Sequence, residues 1–389
     1  MNSGQTVFRQ LLKFLPRHEF NLCANRYRGD YRAKSFSTFD QFLCLAYAQM
    51  AGRESLRDIE TCLNSHREKL YHIGFRGSIS RSTLADANER RDWHIFHDFG
   101  QVLIRAAQQL YHDEPFALDL KQPLYAFDST TIDLCLSLFP WATFRKNKAA
   151  VKMHTLVDLR GIIPTYVTIT TGKVHDVNML DTLPVTQDAI YTMDRGYIDF
   201  RRLYLLNQQG AFFVIRAKDN LCFKRLYSSA KDKHSGIRAD QTIRLTIHKS
   251  KNDYPDKLRR VSYVDKEHNK RLVFLTNNFS IPAPVVAEIY KQRWQVELFF
   301  KWIKQHLRIK SFYGTSINAV KSQIWIALSI YLLIVIAKKK LGIPCQLYTF
   351  LQIIEVNLFE KKPIFQLVTD ALKRTPDNEN SNQLNLFSY

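Results

Sequence analysis

The 389-residue chain lacks most of the features that would mark it as secreted, zinc-bound through cysteine, or nucleotide-binding. Its six cysteines (Cys23, Cys44, Cys62, Cys135, Cys222 and Cys345) form no CxxC pair, and most lie in apolar runs. That excludes a disulfide framework or a cysteine zinc site and points to buried free thiols in a reducing compartment. The N-terminal stretch MNSGQTVFRQLLKF has neither the apolar core nor the small-residue cleavage site of a signal peptide. No GxGxxG motif, P-loop or internal repeat is present. The longest apolar run, Ile324 to Ala337, has 14 residues and is followed by Lys338, Lys339 and Lys340. A bilayer span needs roughly 20, so a buried core helix with a basic end is expected, with no membrane partner and a cytoplasmic location. Acidic residues are also scarce, 36 Asp and Glu against 56 Lys and Arg, for a net charge of +20. Such self-repulsion opposes compaction but suits a polyanion such as nucleic acid, whose counterions are released on binding.

What is present supports a large folded protein. Hydrophobic residues make up 46% of the chain and aromatics 13%, enough for two or three structural units and against disorder. Residues 1–115 read as helical throughout, with apolar residues such as Phe8, Leu11, Leu12 and Leu15 on one face. After the turn Gly74-Phe75-Arg76-Gly77, SRSTLADANERRDW opens a helix carrying Arg90 and Arg91, a pattern compatible with a helix-turn-helix DNA reader or with a solvated basic face. From about residue 120 the texture changes to short apolar runs separated by turns. Leu124 to Ser129, Val151 to Val157, Ile162 to Thr170, Ala189 to Met193 and Ala211 to Ile215 read as strands, with helices near Val177 to Thr186 and Phe200 to Gln208. This order is that of an RNase H-like α/β sheet.

The expected organisation is therefore a helical N-terminal DNA-binding domain (1–115) and an RNase H-like mixed-sheet core. The first part of the core covers 120–216 and the second, with a long helix, 286–345. A β-rich insertion subdomain (217–285) interrupts it, and a C-terminal helical region with a loose tail (346–389) follows.

Phosphoryl transfer on DNA needs divalent cations, and magnesium prefers oxygen ligands. Asp128 and Asp194 each end a short apolar run, where an unpartnered acid is costly. In IYKQRWQVELFFKWIKQHLRIK, residues Tyr290, Arg293, Glu297 and Lys304 are spaced by three, four and seven, so one helical face carries an acid flanked by two cations and a phenol. A solvated stripe with an Arg293–Glu297 ion pair is the plainer reading. Arg145, Lys146, Lys148 and Lys152 form a basic patch suited to phosphate or to solvent.

The pattern Y-(2)-R-(3)-E-(6)-K at Tyr290, Arg293, Glu297 and Lys304 resembles the signature of the DDE transposases of bacterial insertion sequence family 4. FDSTTIDL around Asp128 and MDRGYIDF around Asp194 resemble that family's first two acidic motifs. The resemblance extends over nearly the whole chain. It implies a catalytic triad of Asp128, Asp194 and Glu297 holding two Mg²⁺ or Mn²⁺ ions. It also implies phosphate contacts from Tyr290, Arg293 and Lys304, and double-stranded transposon ends and target DNA as partners. A homodimer would pair the two ends. In hairpin-forming relatives an aromatic side chain holds a flipped base; Trp294 and Trp302 are the neighbouring candidates, each with core packing as its plainer role. The rival expectations are a structure-specific nuclease on the same fold, and a transposase-derived DNA-binding protein without catalysis.

Overall fold

The computed structural model describes residues 4–75, 77–114, 118, 120–230, 235–265, 270–306 and 312–374. The chain divides into two compact units, one formed by Met1–Leu110 with Trp302–Tyr389, the other by Tyr111–Lys301.

The first unit begins with helices α1 (Val7–Leu12), α2 (Arg17–Arg26), α3 (Thr38–Met50), α4 (Leu56–Ser65), α5 (Arg67–Ile73), α6 (Arg81–Arg90) and α7 (His94–Tyr111). Local chemistry fixes their starts. Ser37 and Asp40 form a reciprocal capping box at α3, and Ser55 caps α4 by accepting from the Asp58 N–H. These contacts satisfy backbone donors that a helix start leaves unpaired.

The second unit contains one mixed sheet. Its strands are β1 (Leu124–Leu134), β2 (Thr143–Arg145), β3 (Lys148–Asp158), β4 (Ile163–Thr171), β5 (Ile190–Met193), β6 (Phe212–Arg216), β7 (Phe223–Ser228), β8 (Ile237–Leu245), β9 (Leu258–Asp265) and β10 (Lys270–Thr276). They are ordered β2-β3-β1-β5-β6-β10-β9-β8-β7, with β4 paired to β3. The three central strands β1, β5 and β6 are parallel, and the outer pairings are antiparallel. Helix α8 (Phe200–Gln208) joins β5 to β6 as a parallel crossover requires, and Asp199 caps it. Helix α9 (His248–Asp253) links β8 and β9. Helix α10 (Ala283–Gln292) packs over β5, β6, β8 and β9, and α11 (Trp294–His306) follows it.

The chain then returns to the first unit as α12 (Ile317–Lys340), α13 (Leu347–Val356) and α14 (Ile364–Arg374). Helix α12 is long and apolar enough to cross a membrane, but 94% of its apolar window is buried inside the protein. Its neighbours are α1, α3, α6 and α13. Gly100 on α7 makes room for it: a Cβ there would stand 2.8 Å from Trp325 Cε3. Asn318 donates to the carbonyls of Asn88 (2.9 Å) and Arg91 (2.7 Å), tying the start of α12 to the end of α6.

Several sequence expectations need correction. The segment 217–285 is β-rich, but β10 pairs with β6, so it extends the central sheet instead of forming a separate subdomain. The apolar helix belongs with the N-terminal helices and not with the second part of the core, because its apolar surface is satisfied by helix packing. The expected helix at Val177 to Thr186 is a short 3-10 turn at Asp176–Asp181. Strand β1 runs on past Ser129, because its second half pairs with β3. The long helix expected from Pro282 is two helices that meet at Arg293. The loose tail expected at the C-terminus falls, from residue 375 onward, outside the described residues.

A buried ion pair locks the added strands to the entry of α10. Arg259 donates to both oxygens of Asp240 (2.9 and 2.8 Å), and its other nitrogen donates to the carbonyls of Asn278 and Ile281, just before the helix. The two side chains are only 9% and 10% exposed. Removing one partner leaves a buried charge uncompensated, so Asp240→Ala should lower unfolding stability by about 3–5 kcal/mol, read by urea denaturation. A loss below about 1 kcal/mol would mean that solvent reaches Arg259.

His154 on β3 is fully buried; its Nε2 lies 2.9 Å from Thr170 Oγ1 on β4. Burial, together with Lys152, lowers its pKa from 6.5 to about 4 against the pull of Asp176. The unfolded chain therefore takes up this proton first, and its contribution is lost as pH falls from about 6.5 toward 4. The expected slope is at most ~1.4 kcal/mol per pH unit. Denaturation curves over that range should be flatter for His154→Gln than for the natural chain; equal slopes would mean His154 titrates normally.

Candidate active site

The sheet register brings the first two acids together. β1 and β5 run parallel with Phe127 beside Met193, the last residues of that pairing. Asp128 and Asp194 are the next residues on each chain, so they emerge at the same level where the two strands part. Beyond this point β5 ends and Asp194 leads a 3-10 turn, Arg195–Tyr197, whereas β1 continues along β3. A divergence of neighbouring parallel strands opens a crevice at their C-terminal ends.

The third acid arrives from the helices. Arg293 lies at the junction of α10 and α11, in the right-handed helical region (φ −53°, ψ −31°). Its Nη1 donates to Asp128 Oδ2 at 2.9 Å, and its Nη2 to Glu297 Oε1 at 2.5 Å. One guanidinium thus joins a carboxylate from the sheet to one from the first turn of α11. Tyr290, three residues earlier, donates from its hydroxyl to Asp194 Oδ1 over 3.4 Å, while its ring packs 4.8 Å from that of Phe274 on β10. Val296, Phe299 and Phe300 are buried and anchor α11.

Crowding of negative charge shows in Asp128. Burial is the largest cause that pushes its carboxyl up to about 6, and the charges of Glu297 and Asp194 add to it. The Ser129 N–H, 2.8 Å from Oδ1, and the Arg293 cation oppose the rise. The three acids therefore share one field, with Arg293 as the cation inside it.

Sequence reasoning missed Tyr197 and Ser129 beside these acids. Tyr197 is buried, and its phenol is raised by desolvation and then by the charges of Asp128, Asp176 and Asp194. Ser129 Oγ donates to Asp176 Oδ1 at 2.8 Å, and Lys152 Nζ lies 3.2 Å from the same oxygen. Tyr197 belongs to the same MDRGYIDF run as Asp194, which was the available signal. Ser129 and Asp176 are 47 residues apart, and only the fold unites them.

Other candidates separate into exposed and internal groups. Arg145, Lys146 and Lys148 are exposed on the β2–β3 hairpin, but Lys152 is largely buried and donates to the Val174 carbonyl at 2.9 Å. Arg90 is exposed and pairs with Asp86 on its own helix. Arg91 instead turns inward, donating to the carbonyls of Gly29, Phe36 and Ser37 and to Gln41 Oε1. Burial lowers its pKa, and the guanidinium has a structural task. Trp294 is half exposed, whereas Trp302 packs edge-on against Tyr331 at 4.8 Å. Lys304 lies on α11 seven residues beyond Glu297. Among the described residues, no three acidic, histidine or cysteine side chains stand close enough to hold a metal ion as arranged.

Comparison with known proteins gives this geometry its family. Residues 119–333 match the family model of the transposase DDE domain, and residues 3–76 match a domain of unknown function (DUF4372). The chain is 34% identical over 303 residues to the y4zB transposase of Sinorhizobium fredii, covering 77% of this chain and 82% of that protein. It is 32% identical over 220 residues to the transposase of insertion sequence element IS5377 from Geobacillus stearothermophilus, covering 56% and 57%. It is 26% identical over 277 residues to the transposase of element IS4SA from a Synechocystis species, covering 69% and 75%. The last likeness agrees with insertion sequence family 4. A domain match over more than half of the chain and a relative aligned over most of both lengths lead to one conclusion: the chain belongs to the DDE transposases, enzymes of the polynucleotidyl transferase type.

Proposed function

We propose that Asp128, Asp194 and Glu297 form the catalytic centre of a cut-and-paste transposase with an RNase H-like core, acting on the DNA ends of its own insertion sequence in the bacterial cytoplasm. The observation that carries this reading is the convergence of three acids from β1, the end of β5 and α11 around the guanidinium of Arg293. The donor set is all oxygen, the chemistry that Mg²⁺ or Mn²⁺ prefers. A positive group already lies between two of the acids, which fits a place where cationic charge is needed. When bound, two such ions would activate the attacking oxygen and stabilise the leaving one.

The residues of the chain do the positioning. Asp128 and Asp194 are held at one level by the parallel register, and Glu297 is fixed by the buried side of α11. The planar fork of Arg293 also matches a phosphate, so incoming DNA would compete for it with Asp128 and Glu297. Tyr290 and Lys304 would orient the phosphates beside it, and half-exposed Trp294 is the better-placed aromatic for stacking on a base. In the first step a water oxygen bonds to the phosphorus at the element's end and a 3′-OH leaves. That hydroxyl then attacks a second phosphodiester, either on the opposite strand or in target DNA, forming a new P–O bond as the bond to that phosphorus's own 3′-oxygen breaks and a new 3′-OH leaves. A homodimer would hold both ends together.

A cleavage and joining assay on duplexes carrying the element's own ends tests this reading. Metal-dependent nicking at the ends and joined products are expected from the natural chain. Asp194→Asn and Glu297→Gln should each lower the rate at least ~100-fold while leaving end binding within about threefold. Nicking without joining would favour a nuclease, and loss of binding in Glu297→Gln would make that residue structural.

A further inference from the structure

The helical unit contains a cleft of about 910 Å³, entirely within the segment that matches the domain of unknown function or adjoins it. Its lining includes Arg9, Lys13, Arg17 and Lys34 together with Phe36 and Phe39. Arg9 and Lys13 lie one helical turn apart at α1, Arg17 is the first residue of α2, and Lys34 sits on the loop leading to α3. All four are exposed. Like charges one turn apart, as Arg9 and Lys13 are, repel by a few tenths of a kcal/mol per pair.

Two acids, Asp30 and Asp40, share the lining with these four cations, which leaves the cleft with an excess of positive charge. Asp30 Oδ1 accepts from the N–H and hydroxyl of Thr38 at 2.5 and 2.8 Å. Asp40 Oδ2 accepts from the N–H and hydroxyl of Ser37 at 2.7 and 2.6 Å. The wall is also rigid. Arg91 fastens the loop by donating to the carbonyls of Gly29, Phe36 and Ser37. Gly29 fits tightly, since a Cβ there would come within 2.6 Å of Thr38 Oγ1. Arg17 is stacked on Phe39, its Cζ 3.1 Å from the ring centroid. Gly74 and Gly77 also line the cleft without side chains. The segment from Arg9 to Lys34 carries seven Lys and Arg against two acids.

We propose that this cleft grips the phosphate backbone of double-stranded DNA, so that the domain of unknown function anchors the element's end through charge and not through sequence. The assignment rests on the chain being a DNA-acting transposase. It moves the main contact from α6 to a pre-organised groove between α1, α2 and the loop before α3, with Arg91 as the residue that positions the groove's wall. Phosphate contacts of this kind fix where the duplex lies and carry no base information.

Binding of the full chain to a labelled duplex carrying the element's end, measured by fluorescence anisotropy between 50 and 200 mM salt, tests the proposal. Each phosphate contact contributes about 0.9 to the slope of log affinity against log salt. The combined variant Arg9→Ala, Lys13→Ala, Lys34→Ala should lose about 2–3 from that slope and bind at least ~10-fold more weakly at the lowest salt, with an unchanged circular dichroism spectrum. Lys34→Glu alone, on an exposed loop, should lower the slope by about 1. The cleft assignment is overturned if both variants keep the natural slope while the natural chain binds the duplex. If the natural chain itself shows no salt-dependent binding to any duplex, the transposase reading fails with it.

Discussion

The interaction on which the site depends is the fork of Arg293 between Asp128 and Glu297. Without a cation there, two carboxylates, with Asp194 close enough to act on one of them, would face each other in a largely buried region. Coulomb repulsion at such distances is strong enough to protonate or disperse them. The guanidinium turns that repulsion into a tie between the sheet and α11.

The rest of the second unit serves that tie. Parallel pairing of β1, β5 and β6 sets Asp128 and Asp194 side by side, and the divergence of β5 from β1 opens the crevice. Strands β8 and β9 give α10 additional sheet to rest on and, through Arg259, hold the chain that enters it. The helical unit solves a different problem. It encloses an apolar helix on all sides and keeps its excess positive charge on outer walls, where a polyanion can reach it.

Much of the site was legible in the sequence because its signals are local. Tyr290, Arg293 and Glu297 obey helical spacing, and Asp128 and Asp194 each follow a run of buried strand residues. What the spacing could not reveal was where Arg293 points, since a cation one turn from an acid looks the same whether it meets phosphate or a second acid. The Ser129–Asp176 contact and the approach of Tyr197 depend on strand pairing between distant segments, which periodicity does not encode. The same limit applied to Arg91. Arg90 and Arg91 are neighbours on a basic helix end, yet one faces solvent and the other satisfies four internal acceptors. The sheet-extending role of 217–285 was hidden because an insertion that pairs with the core and one that folds apart have the same alternation.

A double-mutant cycle between Asp128 and Arg293 tests the central claim most directly, with stability of Asp128→Asn, Arg293→Gln and the combined variant measured by urea denaturation. The account predicts a coupling of about 1–3 kcal/mol, because each single change removes a charged contact that the other group makes in a largely buried place. Additivity within about 0.5 kcal/mol would mean that the two residues act independently, and it would contradict the view that Arg293 holds the acids in place.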